Sequence, residues 1–198
     1  MANVDSWSET ALISITAQGA SDVEFACLTE TVDLDIGDKD FDAINTLCGG
    51  RMVKFNPQEP TSITLEAYPL EAGTVSGTTG TGFFDLMNSS LSAQGGAVEV
   101  DRERNKYRMA ILWTDKSSAV SATEGLATAS SQSGLRVVAA DGYFTSVKPS
   151  FTDGVLKFNV IFKVPAFDKS KAANVKMEST DGTADLDALA SYTSSVKW

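Results

Sequence analysis

"DGVLKFNVIFKVPAFD", residues 153–168, is the stretch whose reading decides the fold class. Between Val155 and Val164, the apolar Leu156, Phe158, Val160, Phe162 and Val164 alternate with Lys157, Asn159, Ile161 and Lys163. A two-residue period is that of a β-strand, which points the first set to one face and the second to the other. The first face reads as core. The second places Ile161 between two lysines on the side that should be wet, so the question it raises is what that side meets.

Working outward, "LRVVAADGYFTSVKP" (135–149) is rich in strand-forming residues and "SFTDG" turns the chain back into the quoted stretch, which predicts the longest hairpin of the molecule. "ALISIT" (11–16), "VEFACL" (23–28), "TVDLDI" (31–36) and "KYRMAILWT" (106–114) read as further strands. "RMVKFN" (51–56) and "TSITLEAYPL" (61–70), joined by "PQEP", predict another hairpin. Three-residue spacing of Phe41, Ile44 and Leu47, with Gly49-Gly50 where a C-cap belongs, predicts a short helix in "DKDFDAINTLCGG". "FFDLMNSSL" (83–91) predicts a second one, and Leu186, Leu189 and Tyr192 stand at helical spacing near the final Trp198. Residues 71–82, a run of Gly and Thr, read as a long loop. Residues 116–134 are small and polar, a loop or a weak helix around Ala122 to Ala129. With no repeat visible, the whole is a mainly β chain: one antiparallel β-sandwich or barrel domain over 1–198, with one or two short α-helices and long loops.

Composition narrows the function classes. The formal net charge of -10 repels phosphate and gives no footprint for holding nucleic acid. No apolar run approaches the roughly 18 residues of a membrane span, and the opening residues lack a basic segment followed by an apolar one, so an intracellular chain is expected. Histidine is absent, which removes the Ser-His and Cys-His nucleophile arrangements and the imidazole metal ligands. Cys27 and Cys48 fit neither a zinc site nor a disulfide framework and are expected as reduced core residues.

Candidate chemistries fare poorly against plainer readings. Asp33, Asp35, Asp38, Asp40 and Asp42 crowd around a glycine as in a calcium loop, but Ile44 stands where the bidentate Glu is needed, and Asp33 and Asp35 fit as the wet face of a strand. "GTTGTG" (77–82) runs into Phe83-Phe84, where a phosphate loop needs Lys-Ser or Lys-Thr. Arg102, Arg104, Lys106 and Arg108 are interleaved with Asp101 and Glu103 and read as a solvated strand edge. No catalytic, metal or cofactor-binding residue is assigned, and no enzyme activity is expected. Trp7, Tyr68, Tyr107 and Trp113 are candidate platforms if the domain is a ligand-binding module.

Three segments carry a resemblance: "GGRMVKFNPQEPTSITLEAYPLEAGT" (49–74), "KYRMAILWTD" (106–115) and "ADGYFTSVKPSFTDGVLKFNVIFKVPAFDKSKAANVKMES" (140–179). Together they resemble the major tail tube proteins of long-tailed bacterial or archaeal viruses. The resemblance implies a β-sandwich protomer forming six-membered rings that stack into the tail tube of a virion, assembled in the host cytoplasm. It implies partners in further copies of the chain and in other tail proteins (tape measure, tail terminator, baseplate or tip), with viral DNA passing through without sequence-specific binding, no cofactor and no membrane. On this analogy Leu156, Phe158, Val160, Phe162 and Val164 face the core. Tyr143, Thr145, Lys157, Asn159, Ile161 and Lys163 face the lumen or a neighbouring subunit, the lysines being offset by carboxylates such as Glu66. The loop with Glu71, Gly73, Thr74, Gly77, Gly80 and Gly82 reaches the next ring, and residues from about 180 to 198 dock on a neighbour. The alternatives are another virion structural protein, such as a decoration, capsid or terminator protein, and a β-sandwich ligand-binding module.

Overall fold

The computed structural model describes residues 10–19, 23–25, 31–67, 106–114, 133–181, 183, 186 and 189–198. Among the described residues ten strands follow one another: β1 (Thr10–Ala17), β2 (Val23–Phe25), β3 (Val32–Asp35), β4 (Phe41–Asn45), β5 (Arg51–Phe55), β6 (Thr61–Ala67), β7 (Tyr107–Thr114), β8 (Ser133–Thr152), β9 (Val155–Val164) and β10 (Val175–Asp181). The pairings are antiparallel: eight strands lie in the order β2-β1-β7-β8-β9-β6-β3 with β10 also on β8, and β4 pairs with β5 apart from them.

The twenty-residue β8 belongs to two sheets. Its first half pairs with β7 and β10, and its second half pairs with β9, which leads on to β6 and β3. Strands pass from one layer of a sandwich to the other by bends and bulges. Here the pairing slips opposite β7 between Tyr107 and Met109, and again between Phe144 and Ser146. Inside the first slip, where β8 passes from Ala139 to Gly142, Asp141 holds a left-handed φ of 57°. The next residue must be glycine for a different reason: a Cβ on Gly142 would overlap the Phe162 ring and come 2.7 Å from Cγ2 of Val164.

The core fills the space between the layers. Ile13, Ile15, Met109, Ile111 and Ala139 from one sheet meet Ile63, Leu65, Val160, Phe162 and Val164 from the other. Tyr107, Phe144 and Phe162 join the two halves, with ring centroids 5.0 and 5.1 Å apart in tilted contact, a geometry that aromatic quadrupoles favour. Every residue of β7 from Tyr107 to Leu112 is buried, and so is β8 from Arg136 to Gly142. Continuous apolar runs such as "RMAIL" and "VVAA" therefore mark strands covered on both faces.

Asp153 and Gly154 close the β8–β9 hairpin with φ of 54° and 79°, the left-handed pair of a two-residue turn. Gly154→Ala is expected to cost about 1–2 kcal/mol through the Cβ clash of that conformation, read as a lower urea midpoint.

Three sequence expectations are corrected. The helix expected over 38–50 is instead the β4–β5 ribbon: Phe41 faces Phe55, Ile44 faces Met52, and Asn45 faces Arg51. Gly49, with φ 79°, supplies the left-handed residue of the ribbon's turn, the same need a helix C-cap would have had. The hairpin expected between 51–56 and 61–70 does not form, because β5 pairs with β4 while β6 pairs with β3 and β9. The "PQEP" segment is one leg of a neck, not a reversal. The Asn56 N–H donates to the Asp40 carbonyl at 2.9 Å and that of Glu59 to Asp38 at 3.1 Å, so between these bonds Lys39 on one leg faces two residues, Pro57 and Gln58, on the other. Last, residues 189–198 form no helix. The helix expected over 83–91, the loop over 71–82 and the uncertain segment up to residue 132 lie outside the described residues, while Ser133 and Gly134 open β8.

Candidate assembly surfaces

The ribbon is the most conspicuous unmet surface. All ten residues of β4 and β5 are exposed, including Phe41 at 60%, Met52 at 62%, Val53 at 53% and Phe55 at 65%. Apolar groups stand on both faces, since the Phe41–Phe55 and Ala43–Val53 pairs share one side and Ile44–Met52 lies on the other. Single exposed apolar residues are ordinary, but a contiguous set on a projecting two-stranded ribbon is not. The neck fixes its direction: Gly37 lies so close to the Glu59 backbone that a Cβ there would overlap it. The ribbon thus continues the β3–β6 pair beyond the end of the sheet. Cys48, expected in the core, is exposed in its turn, while Cys27 is outside the described residues.

A second surface is the outer face of the sheet β3-β6-β9-β8. It holds five of the six residues assigned above to a lumen or neighbour. Lys157, Asn159 and Ile161 are half-buried, Lys163 is exposed, and Tyr143, opposite Lys163, is half-buried. Thr145 is exposed within the bulge, where its hydroxyl donates to the Ile161 carbonyl at 3.2 Å. The register adds Asp33, Asp35, Ser62, Thr64, Glu66 and Lys148 to this face. Lys157 lies 3.8 Å from Glu66. The lysines 148, 157 and 163 are therefore matched in number by Asp33, Asp35 and Glu66, and the face is balanced without being acidic. On the opposite face Val160, Phe162 and Val164 are fully buried; the side chains of Leu156 and Phe158 lie outside the described set, as do residues 71, 73, 74, 77, 80 and 82.

This sheet also has margins. Among the described residues β3 pairs with β6 alone, and Ser146–Thr152 of β8 pair with β9 alone. Four strands alternate in direction, so β3 and the second half of β8 run opposite ways. Pro149 sits on the β8 margin and brings no N–H to it, which is where a proline is tolerated in a sheet.

Of the basic residues read as a wet edge, Arg102 and Arg104 lie outside the described residues, Lys106 is half-buried, and Arg108 turns out otherwise. Arg108 is buried and donates to the carbonyls of Ala190 at 2.6 Å and Lys197 at 3.2 Å. Tyr107, a candidate ligand platform, is buried in the core and Trp113 packs against it; Trp7 and Tyr68 are outside the described residues. Arg136, also buried, is held by Glu178 directly across the β8–β10 ladder, with a 2.9 Å bond from Nε to Oε2. Burial pushes the Glu178 carboxyl up, but hydrogen bonds from Lys176 and Arg136 outweigh it and leave the carboxyl below its ordinary value of 4.5. A carboxyl that is more acidic folded than unfolded stabilises the fold fully above its unfolded value, and that contribution is lost as pH falls through the folded one. The melting temperature is therefore expected to hold between pH 7 and 5 and to decline below about 4.5. Glu178→Gln should lower it at pH 7 and flatten the decline.

Among the described residues no group of three His, Cys, Asp or Glu side chains is placed to hold a metal ion, and no helix is long and apolar enough to cross a membrane. No family model and no curated protein matches the sequence. Several solved structures are similar at low identity. One is the sheath–tube complex of an extracellular contractile injection system, PVC, in its extended state (TM-score 0.45, 17% identity, 85% of this chain and 88% of that one). Another is the sheath/tube terminator of that system (TM-score 0.44, 18% identity, 86% and 94%). A third is Hcp1 from Flavobacterium johnsoniae (TM-score 0.34, 13% identity, 86% and 98%).

The two arginines buried on β7 and β8, Arg108 held by backbone carbonyls and Arg136 by Glu178, were missed by sequence reading because arginines in "YRMAIL" and "LRVV" look solvated. The signal available was their setting: each is embedded in an apolar run, where a charge persists only if it is hydrogen-bonded or paired.

Proposed function

We propose that this chain is a structural subunit that assembles with copies of itself into the tail tube of a virus-like particle, as six-membered rings stacked into a conduit. The observation that carries the reading is the β4–β5 ribbon, which leaves apolar side chains exposed on both faces in the lone chain. A surface of that kind lowers solubility unless something covers it. A second copy is the favoured cover because the ribbon and its base, residues 39–55, carry Lys39, Arg51 and Lys54 against Asp40 and Asp42, a net positive segment on a chain of net charge -10. Another copy offers it an oppositely charged surface.

The sheet margins add the lateral contact. Because β3 and the second half of β8 run in opposite directions, β8 of one copy laid beside β3 of the next continues the antiparallel pattern. Such head-to-tail pairing is heterologous and closes into a ring when the rotation permits. Six copies of four strands would give a barrel of roughly two dozen strands, wider than the 16–18-stranded barrels that already hold an aqueous channel. Pro149 limits the shared ladder to one side of itself. The ribbon prolongs the β3–β6 pair along the strand direction, so it would reach the next ring. Other tail proteins would contact the ends of the tube, and DNA would pass a lining whose three lysines are matched in number by carboxylates. The role is structural, not catalytic.

Negative-stain electron microscopy of the concentrated protein tests this. Hollow rings and stacks of rings of varied length are expected; a monodisperse monomer at all concentrations, or a closed shell, would refute it.

A further inference from the structure

Residues 189–198 lie across the corner where β8 passes from one sheet to the other, and what holds them there is mostly polar. The Tyr192 hydroxyl donates to Oδ1 of Asp141 at 2.8 Å and accepts from the Asp141 N–H at 3.0 Å. The Arg108 guanidinium lies 5.5 Å from the centroid of the Tyr192 ring and binds the backbone carbonyls on either side of it. At the far end Nζ of Lys197 donates to Oδ2 of Asp168 at 2.7 Å and to Oδ1 of Asn174 at 2.6 Å, with Oδ2 of Asp141 at 3.9 Å. Asp141 also faces Lys106 at 3.3 Å. Tyr192 is the one fully buried side chain among residues 189–198; Val196 is exposed and Trp198 half-buried.

We propose that residues 189–198 form a polar latch that fixes the bend of β8 at Asp141 and opens as a unit, in salt or in acid, while the sandwich stays folded. Segments held by few apolar contacts open at lower free energy than core strands, and ionic contacts weaken with added salt where apolar ones do not. The Lys197 hydrogen bond and the N–H groups of Ala172 and Ser170 hold the Asp168 carboxyl below its ordinary value of 3.8. Its contribution is present above that value and is lost as pH falls through the lower, folded one. Burial and the Asp141 carboxylate push the Tyr192 phenol well up, so it stays protonated as a donor throughout. Opening frees the left-handed Asp141 from its phenol partner, and with it the angle between the two sheets. The latch is a property of the single chain and does not depend on assembly.

Hydrogen exchange of the full-length chain, held dilute, tests it through protection factors for residues 189–198 and for β7. Tyr192→Phe and Lys197→Gln should each lower protection of 189–198 by about 10-fold or more, the effect of unmaking a buried or charged hydrogen bond, and leave β7 unchanged. Raising NaCl from 0.05 to 1 M should lower it several-fold, and as pH is lowered below 3.8 it should fall ahead of that of β7. The proposal is overturned if 189–198 and β7 lose protection together under every condition, or if neither variant changes the protection of 189–198.

Discussion

Phe41→Ser combined with Phe55→Ser should leave the unfolding midpoint of the monomer unchanged and raise the concentration at which assembly begins by on the order of 100-fold. Both rings are more than half exposed in the lone chain, so removing them deprives the monomer of little. If a neighbour covers what remains, each ring contributes about 1–2 kcal/mol at the usual value for apolar area. The pair then accounts for about 2–4 kcal/mol, and each 1.4 kcal/mol is tenfold in an equilibrium. Sedimentation velocity across a dilution series reads the onset, and urea titration reads the monomer. Unchanged assembly in the double variant would mean that the ribbon is not a contact between copies.

Phe162→Ala should have the opposite profile, a loss of about 3–5 kcal/mol of folding stability. Phe162 is fully buried and touches three parts of the design at once: it faces Ile63 on β6 and Phe144 on β8, and its ring occupies the space a Cβ on Gly142 would need. Truncating it empties the centre of the sandwich beside the bend. Gly142→Ala should be destabilising through the same contact, and less so in a Phe162→Ala background, since overlapping sites couple. Urea unfolding of the three variants measures that coupling; simple additivity would mean that the bend relaxes away from Phe162.

Much of this architecture is readable from residues. The two-residue period of β9 and the Asp153-Gly154 turn specify the long hairpin, because both signals are local and agree. The ribbon was not readable, because its cues are shared by two structures. Phe41, Ile44 and Leu47 at three-residue spacing suit a helix face, and a glycine pair suits a helix end. Eight or so residues cannot meet the cost of helix nucleation without a packed face, and the strand partner at 51–55 decides the matter. The "PQEP" segment misled for a related reason. Prolines punctuate the chain, but in a neck they only remove donors, and nothing local says that the reversal comes earlier, at 46–50. Arg108 and Arg136 were hidden by distance in sequence: their partners lie 82 and 42 residues away.

The most direct test of the account is whether copies of the chain complete one another's margins, and amide exchange compared between dilute and concentrated protein answers it. Residues 32–35, 41–55 and 146–152 should exchange quickly in the dilute monomer and become as protected as β6 and β9 once the protein is concentrated. A protein that remains monomeric when concentrated, or that associates while those three segments go on exchanging freely, would contradict it.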